Sequence, residues 1–317
     1  MVWFRKLGCL VGTSEGLKPL LMRTALVLAG LLLPIQAAAH AVEIVDDTGR
    51  TIRLERPATR IIALYGAYNE ILAGMGLESR LVGRTKADVS PPSIVSRPSI
   101  GTHMRPNIEM VIGLRPDLII QGAGRKEAMM PVNQLLNEGL TVAVFNPTGF
   151  SDLFSVIERI GVLVGEQSTA MNLVAALRGR LDTVAKRLAA TPSRPKIFFE
   201  VRYPDILSAG TNSMVNDIIE RAGGSNCVSV NKKLVRMSIE TLIACNPDFY
   251  VVQQGPMNRN PVQPAERPHF TVLQAVRNGR VMTVDEQVFS RPGPRSVEAV
   301  EQLAAFLHPR VMSEDKP

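Results

Sequence analysis

Residues 107–120 read NIEMVIGLRPDLII, and residues 238–251 read SIETLIACNPDFYV. Each stretch opens on a polar residue, runs through Ile-Glu into a short apolar helix pattern, and leaves through Pro-Asp into a bare apolar strand. Proline stops the helix because its ring clashes with the preceding turn and removes a hydrogen-bond donor. A strand that is apolar at every position suits a parallel sheet buried on both faces. The same phrase thus appears once in each half of a 317-residue chain, long enough for two domains with their own cores.

The grammar extends outward from both copies. In the first half, RIIALYG (60–66) reads as a strand, NEILAGMGL (69–77) as a helix stopped by Gly76, and RLVGRT (80–85) as a strand. After DLIIQG (117–122) come a helix in MPVNQLLNEGL (130–140) and a strand in TVAVFNP (141–147). In the second half the strands are KIFFEV (196–201), DFYVVQ (248–253) and RVMTVD (280–285). Helices are expected in 212–224, 270–279 and 296–307. Strand–helix alternation with short connections predicts parallel sheets covered by helices on both faces. Residues 151–190 break the rhythm, with one helix in SDLFSVIERIGVLVG (151–165) and then about 25 helical residues, roughly 35 Å by the helix rise. The expected fold is α/β, two doubly wound parallel-sheet lobes joined by a single long α-helix. The expected bounds are a β-hairpin at 40–56 turning at Gly49, a first lobe at 57–166, the linking helix at 167–191 and a second lobe at 192–317.

The formal net charge is +7, of which residues 1–39 supply Arg5, Lys6, Lys18 and Arg23 against Glu15. No basic stripe with interleaved aromatics is present, so nucleic-acid binding has little support. MRTALVLAGLLLPIQAAAH (22–40) has a cationic start, a short apolar core and an Ala37-Ala38-Ala39 cleavage pattern. It is expected to be a signal peptide, with Met22 a more ordinary start than Met1, because the apolar core is shorter than the roughly 20 residues a spanning helix needs. Cys9 has no apolar run before it, so a soluble periplasmic protein without a lipid anchor is expected. Cys227 and Cys245 remain, and an oxidising compartment permits a disulfide between them without requiring one.

Glu109 and Glu240 occupy the same place in the two copies, in the first turn of a helix. There a carboxylate is stabilised by the helix dipole, by about 0.3–1 kcal/mol; as a symmetric pair they also read as two docking points for a two-fold partner. Ligands of open α/β sheets meet the loops at strand ends. That nominates Tyr65, Tyr68, His103, Arg105, Arg125 and Lys126 in the first half, and Arg202, Tyr203, Arg236 and Arg291 in the second. Several cations in one cleft suit an anionic chelate. An enzyme finds little support: there is no P-loop, no G-x-G-x-x-G after a strand and no nucleophile-elbow Ser, and the histidines are His40, His103, His269 and His308. A bare zinc or manganese site would want more His than His103 and His269.

RIIALYGAYNEILAGMGLESRLVG (60–83), NIEMVIGLRPDLII and NGRVMTVDEQVFSRPGPRSVEAVEQLAAFLHP (278–309) resemble the periplasmic solute-binding proteins of iron–siderophore, haem and cobalamin ABC importers. The resemblance covers nearly the whole chain after Pro57. It implies a receptor without catalysis or cofactor, expected to be a monomer, that holds a metal chelate in a cleft between the lobes and delivers it to a permease dimer with its ATPase subunits. It assigns Glu109 and Glu240 to permease docking and puts the His103 loop against the ligand, with His103 either a metal ligand or a wall residue. Cobalamin-binding members carry a Trp near His103 and aromatics near Ala87 and Leu234, and haem binders often use a Tyr in this loop. The chain after residue 39 has neither pattern, Trp3 being its single Trp. An iron–siderophore, a corrinoid and haem therefore all stay open as cargo.

Overall fold

The structure, a computed structural model, describes residues 41–123 and 126–313. The expected signal peptide and Arg125 lie outside the described residues.

The chain opens with the antiparallel hairpin β1 (Val42–Val45) and β2 (Thr51–Leu54). Alternate residues Val42, Ile44, Ile52 and Leu54 are buried, as a strand with one solvated face requires. Asp46 closes the turn by accepting from the Thr48 and Arg50 amides at 2.9 and 3.0 Å. It also accepts from the Val144 amide at 3.1 Å, which pins the hairpin to the sheet behind it. Burial pushes the Asp46 carboxyl up, but the hydrogen bonds from Thr48 and Arg50 outweigh it and hold the group below the usual carboxylate range.

The first lobe runs β3 (Ile61–Ala63), α1 (Gly66–Gly74), β4 (Leu81–Gly83), the small hairpin β5 (Gly101–Thr102) and β6 (Arg105–Pro106), α2 (Ile108–Gly113), β7 (Leu118–Gly122), α3 (Met129–Asn137) and β8 (Val142–Phe145). Its main sheet has the order β4-β3-β7-β8, all parallel. Period-two alternation divides these strands between two cores. Ile61, Ala63, Leu118, Ile120, Ala143 and Phe145 face one; Ile62, Ile119, Val142 and Val144 face the other. Both faces are covered, which is why the strands read as unbroken apolar runs.

Two helices follow, α4 (Phe150–Val164) and α5 (Gln167–Leu188); α5 is the long helix expected over 167–191, with 22 residues and an end three residues earlier. Ala170, Val174, Leu177, Leu181 and Val184 form its buried stripe at helical spacing. On its exposed side Arg180 makes two hydrogen bonds to Glu301, at 2.9 and 2.6 Å.

The second lobe runs β9 (Lys196–Arg202), β10 (Leu207–Ala209), α6 (Met214–Arg221), β11 (Ser225–Asn226), β12 (Leu234–Arg236), α7 (Ile239–Cys245), β13 (Phe249–Gln254), α8 (Gln274–Arg277), β14 (Val281–Asp285), α9 (Glu286–Phe289), α10 (Ser296–Leu307) and α11 (Pro309–Met312). The core strands β9, β13 and β14 are parallel, and β11 adds to β9 in the same sense. The sheet also carries a feature that the strand–helix grammar lacks. Strand β10 returns antiparallel to β9, and β12 returns antiparallel to β10, so this lobe is mixed at one edge. Strands of two or three residues are too short to show a period of two, so they left no signal in the sequence. The helix expected over 270–279 is a 3₁₀ turn at Phe270–Val272 followed by α8.

Inside this lobe Glu200 and Arg267, both fully buried, form an ion pair, with one contact at 2.9 Å and the Tyr250 hydroxyl donating to Glu200 at 2.6 Å. Arg267 also donates to the Val262 carbonyl and lies 4.0 Å over the Tyr203 ring. Every member is paired, the condition under which a buried charge is tolerated. Cys227 and Cys245 are joined as a disulfide, with Cα atoms 6.0 Å apart.

The bridge closes a loop of sequence separation 18, which by chain entropy stabilises the lobe by about 3 kcal/mol. The C227A/C245A double variant should therefore unfold at clearly lower urea concentration than wild type under non-reducing conditions; equal midpoints would show that the bridge adds nothing.

Candidate functional site

The carboxyl ends of the parallel strands of both lobes open onto one cleft of about 340 Å³. Strand β3 delivers Leu64, Tyr65 and Gly66, β8 delivers Phe145, Asn146 and Pro147, and β9 delivers Val201. This is where open α/β sheets bind ligands, because strand ends splay their loops around a common crevice.

His103 and Met104 reach the cleft from the tip of the β5–β6 hairpin. Thr102 and Arg105 pair across that hairpin, and the Thr102 hydroxyl accepts from the Arg105 amide at 3.1 Å. Gly101 sits at φ 96, and a Cβ there would lie 2.7 Å from the Arg105 carbonyl oxygen, so the tight turn needs glycine. The fully buried Gln121 on β7 donates to the His103 carbonyl at 2.8 Å and fixes the tip. The His103 and Tyr65 rings meet edge to face with centroids 6.0 Å apart.

The second lobe faces this wall with Met214, Val215, Leu234 and Met257. Together with Met104, three thioethers line the cleft, an adaptable surface that fits a large apolar body. The charged lining is sparse among the described residues: Asp88, Glu286, Lys233 and Arg291, with His103. The acids and bases balance, and several are engaged. Glu286 accepts from the Met257 amide at 2.7 Å. Asp88 accepts from the Thr85 hydroxyl and amide at 2.7 and 3.1 Å and from the Asn69 amide group at 3.2 Å. Arg291 lies 3.8 Å from Asp88.

Behind the cleft, the two lobes are tied by charge. Arg291 and Arg295 belong to the RPGPR segment between α9 and α10, while Asp88 and Glu70 belong to the first lobe. Arg295 lies 3.8 Å from Glu70. Gly66 makes the crossing possible, since a Cβ there would come within 2.6 Å of both the Arg291 guanidinium and the Asp88 carboxylate. Burial pushes Asp88 up, and its hydrogen bonds do not fully offset the effect. Burial pushes Glu70 up to about 7, against the lowering influence of Arg295 and Arg291 and with Asp88 and Asp285 adding to the rise.

The candidates named from the sequence fall into distinct places. Tyr65, His103 and Arg291 line the cleft. Tyr68 also borders it, but as a buried floor residue whose hydroxyl donates to the Phe145 carbonyl at 3.0 Å. Arg105 lies outside the lining, exposed on the return strand of the hairpin whose tip carries His103. Arg202 and Arg236 also lie outside it and converge instead on Asp205, at 3.3 and 3.6 Å. Tyr203, likewise outside the lining, packs against Phe270 and under Arg267. For Arg202 the reason is strand alternation: Val201 faces the cleft, so its neighbour faces away. Asp88, Lys233, Met257, Glu286 and Ser290 were not anticipated. Ala87 and Leu234 also line the cleft.

Glu109 and Glu240 are exposed on α2 and α7, away from the cleft lining. The two helices are capped alike: the Met110 amide donates to the Asn107 side chain at 3.0 Å, and the Thr241 amide to the Ser238 hydroxyl at 3.2 Å. Hydrogen bonds from Ser238 and its own backbone hold the Glu240 carboxyl below the usual range, so it is charged at neutral pH. Among the described residues no group of three or more His, Cys, Asp or Glu is placed to hold a metal ion, and no helix is long and apolar enough to cross a membrane.

The buried Glu70 sets a pH dependence. Its folded value lies above its unfolded 4.5, so the folded state binds the extra proton between about 4.5 and 7. The stabilisation is full below 4.5 and is lost as pH rises through about 7, a change of at most roughly 3 kcal/mol. Thermal unfolding of wild type and E70Q from pH 4.5 to 8 should show that decline in wild type and a flatter profile in E70Q; parallel profiles would remove Glu70 as the cause.

Comparison with known proteins agrees with this architecture. A cobalamin-binding protein of Halobacterium salinarum is 26% identical over 301 residues, covering 88% of this chain and 80% of that protein. An uncharacterized ABC transporter substrate-binding lipoprotein of Bacillus subtilis is 29% identical over 279 residues, covering 86% and 87%. Among solved structures, a Staphylococcus epidermidis protein described as a possible iron-binding periplasmic solute-binding protein superposes with TM-score 0.69 at 26% identity, covering 80% of this chain and 100% of that one. The profile of the periplasmic binding protein family matches residues 61–288, well over half of the chain. The chain belongs to the periplasmic binding protein family.

Proposed function

We propose that this protein is the receptor of an ABC importer and that its cargo is a metal tetrapyrrole, a corrinoid or haem. The observation that carries the reading is the cleft lining: Tyr65, Phe145, Leu234 and three methionines, with only Arg291 and Lys233 as cations among the described residues. A polyanionic ferric siderophore calls for several cations, whereas a tetrapyrrole buries a broad apolar disc and needs few placed polar groups. The relative named for cobalamin binding supports the same class.

In this reading the receptor acts outside the cytoplasmic membrane after export by its N-terminal signal and makes or breaks no bond; a partner ATPase supplies the driving energy. His103, beside Tyr65 on the cleft wall, is the residue assigned to meet the metal of a bound haem. Glu109 and Glu240, one on each lobe, dock the loaded receptor onto the permease dimer through basic side chains, where charge sets orientation and encounter rate more than tightness.

Dye-based thermal shift against cyanocobalamin, haemin, a ferric tris-catecholate and free zinc tests the cargo. A true ligand at about 100 times its dissociation constant adds roughly 2.7 kcal/mol of stability. A shift with a tetrapyrrole alone is expected; a shift with the ferric tris-catecholate or with zinc alone overturns the reading. If haemin is the ligand, H103A should move the Soret band and weaken binding by tenfold or more, and an unmoved band would exclude His103 from the metal.

A further inference from the structure

The phrase that occurs twice in the sequence is repeated in three dimensions as well. From Ile108 to Arg115 and from Ile239 to Asn246 the order of exposed, half-buried and buried positions is the same, residue for residue. Val111 and Leu242, both 0% exposed, anchor the two helices to their sheets. Arg115 and Asn246 both turn the chain through the left-handed region, at φ 48 and 43. Asp117 then accepts from the Arg60 amide at 2.9 Å, and Asp248 from the Lys196 amide at 2.8 Å. These shared features are explained by packing and turn geometry within each lobe.

The solvent-facing positions need another explanation. Met110 stands where the second copy has Thr241, Gly113 where it has Ala244, and Arg115 where it has Asn246. Only two exposed positions carry the same residue in both copies: the acid, Glu109 and Glu240, and an isoleucine, Ile112 and Ile243. The isoleucines are 40% and 39% exposed, although packing at a solvated helix position does not ask for a β-branched apolar side chain. Each follows its Glu by three residues, which puts acid and isoleucine side by side on one helix face.

Resting on the permease-docking reading above, we propose that Glu109 with Ile112 and Glu240 with Ile243 form two matched docking patches, each seating its isoleucine in an apolar socket beside a basic side chain of a two-fold symmetric permease. Two copies of one patch, one on each lobe, fit a partner that presents the same surface twice. The acid supplies long-range attraction and register, and the isoleucine supplies apolar area that leaves water only on contact.

The test uses spheroplasts of the source bacterium, washed free of periplasmic proteins, and the purified mature chain carrying a fluorescent label. I112S and I243S should each weaken saturable binding by about tenfold and by similar factors, leaving its salt dependence intact. E109Q and E240Q should weaken binding and flatten the salt dependence. A photo-cross-linker at position 112 and one at position 243 should each capture the same permease polypeptide at the same segment. Because all four positions are exposed, unchanged thermal unfolding verifies that each variant is folded. Isoleucine variants that bind like wild type while the glutamate variants fail would overturn the apolar contribution and leave the docking reading standing. Loss from one lobe only, or cross-links to different segments, would overturn the matched patches. Wild-type binding by all four variants would overturn the docking reading itself.

Discussion

One continuous apolar core runs through both lobes and along the buried stripe of α5, and the rest of the structure depends on it. Ile61, Leu118 and Phe145 of the first sheet, Val174 and Leu181 of the helix, and Ile197, Phe199 and Val251 of the second sheet all belong to it. Each sheet has its own separate core on the opposite face. Separating the lobes would expose part of the shared core to water, at about 25 cal/mol for each Å² uncovered. A helix that is packed along its length cannot serve as a loose hinge. The cleft is therefore largely preformed, and ligand binding spends little free energy on ordering the walls.

Charge is used in two different ways around that core. Glu200 and Arg267 are fully buried, mutually bonded and further satisfied by Tyr250 and the Val262 carbonyl, so the pair fastens the 255–270 region to β9 and has no group left over. The ties across the back of the cleft are longer, 3.8 Å for both Asp88–Arg291 and Glu70–Arg295. There desolvation outweighs the attraction of the arginines, which is why both carboxyls are pushed up. A fully satisfied pair gives rigidity, whereas long pairs give a contact that shifts with protonation and with what lies beside it. The pattern places the fully satisfied pair inside the second lobe and the longer pairs where the two lobes meet beside the cleft.

The fold also separates the cleft from the two exposed acids Glu109 and Glu240. The carboxyl ends of the parallel strands converge on the cleft, while the helices that begin with Ile-Glu display their acids elsewhere on the surface. A receptor needs that division, because a ligand held at one end of the sheets must not compete with a partner that recognises the outside of the molecule. The tandem arrangement is economical: one structural phrase, folded twice, gives each lobe a buried parallel strand and a helix with an exposed acid in its first turn.

The architecture was written in local patterns. Unbroken apolar runs such as DLIIQG and DFYVVQ demanded sheets buried on both faces, Gly and Pro marked where helices stop, and the spacing of α5 gave its length and its buried stripe. Tyr65, His103 and Arg291 could be placed on the cleft because strand ends and a turn-rich loop announce themselves in the chain. Asp88, Lys233 and Met257 could not, since they sit in irregular segments with no period to read, and only the meeting of two distant lobes brings them together. Arg202 and Arg236 illustrate the same limit from the other side: each ends a strand, yet pairing with β10 from its two sides brings both onto Asp205. Sequence by itself determined the longer elements and their order, because these follow from backbone chemistry and apolar period over a few residues. Tertiary structure alone decided which side chains share the cleft and whether Cys227 meets Cys245, because those depend on strand alternation, edge pairing and lobe contact across long stretches of chain.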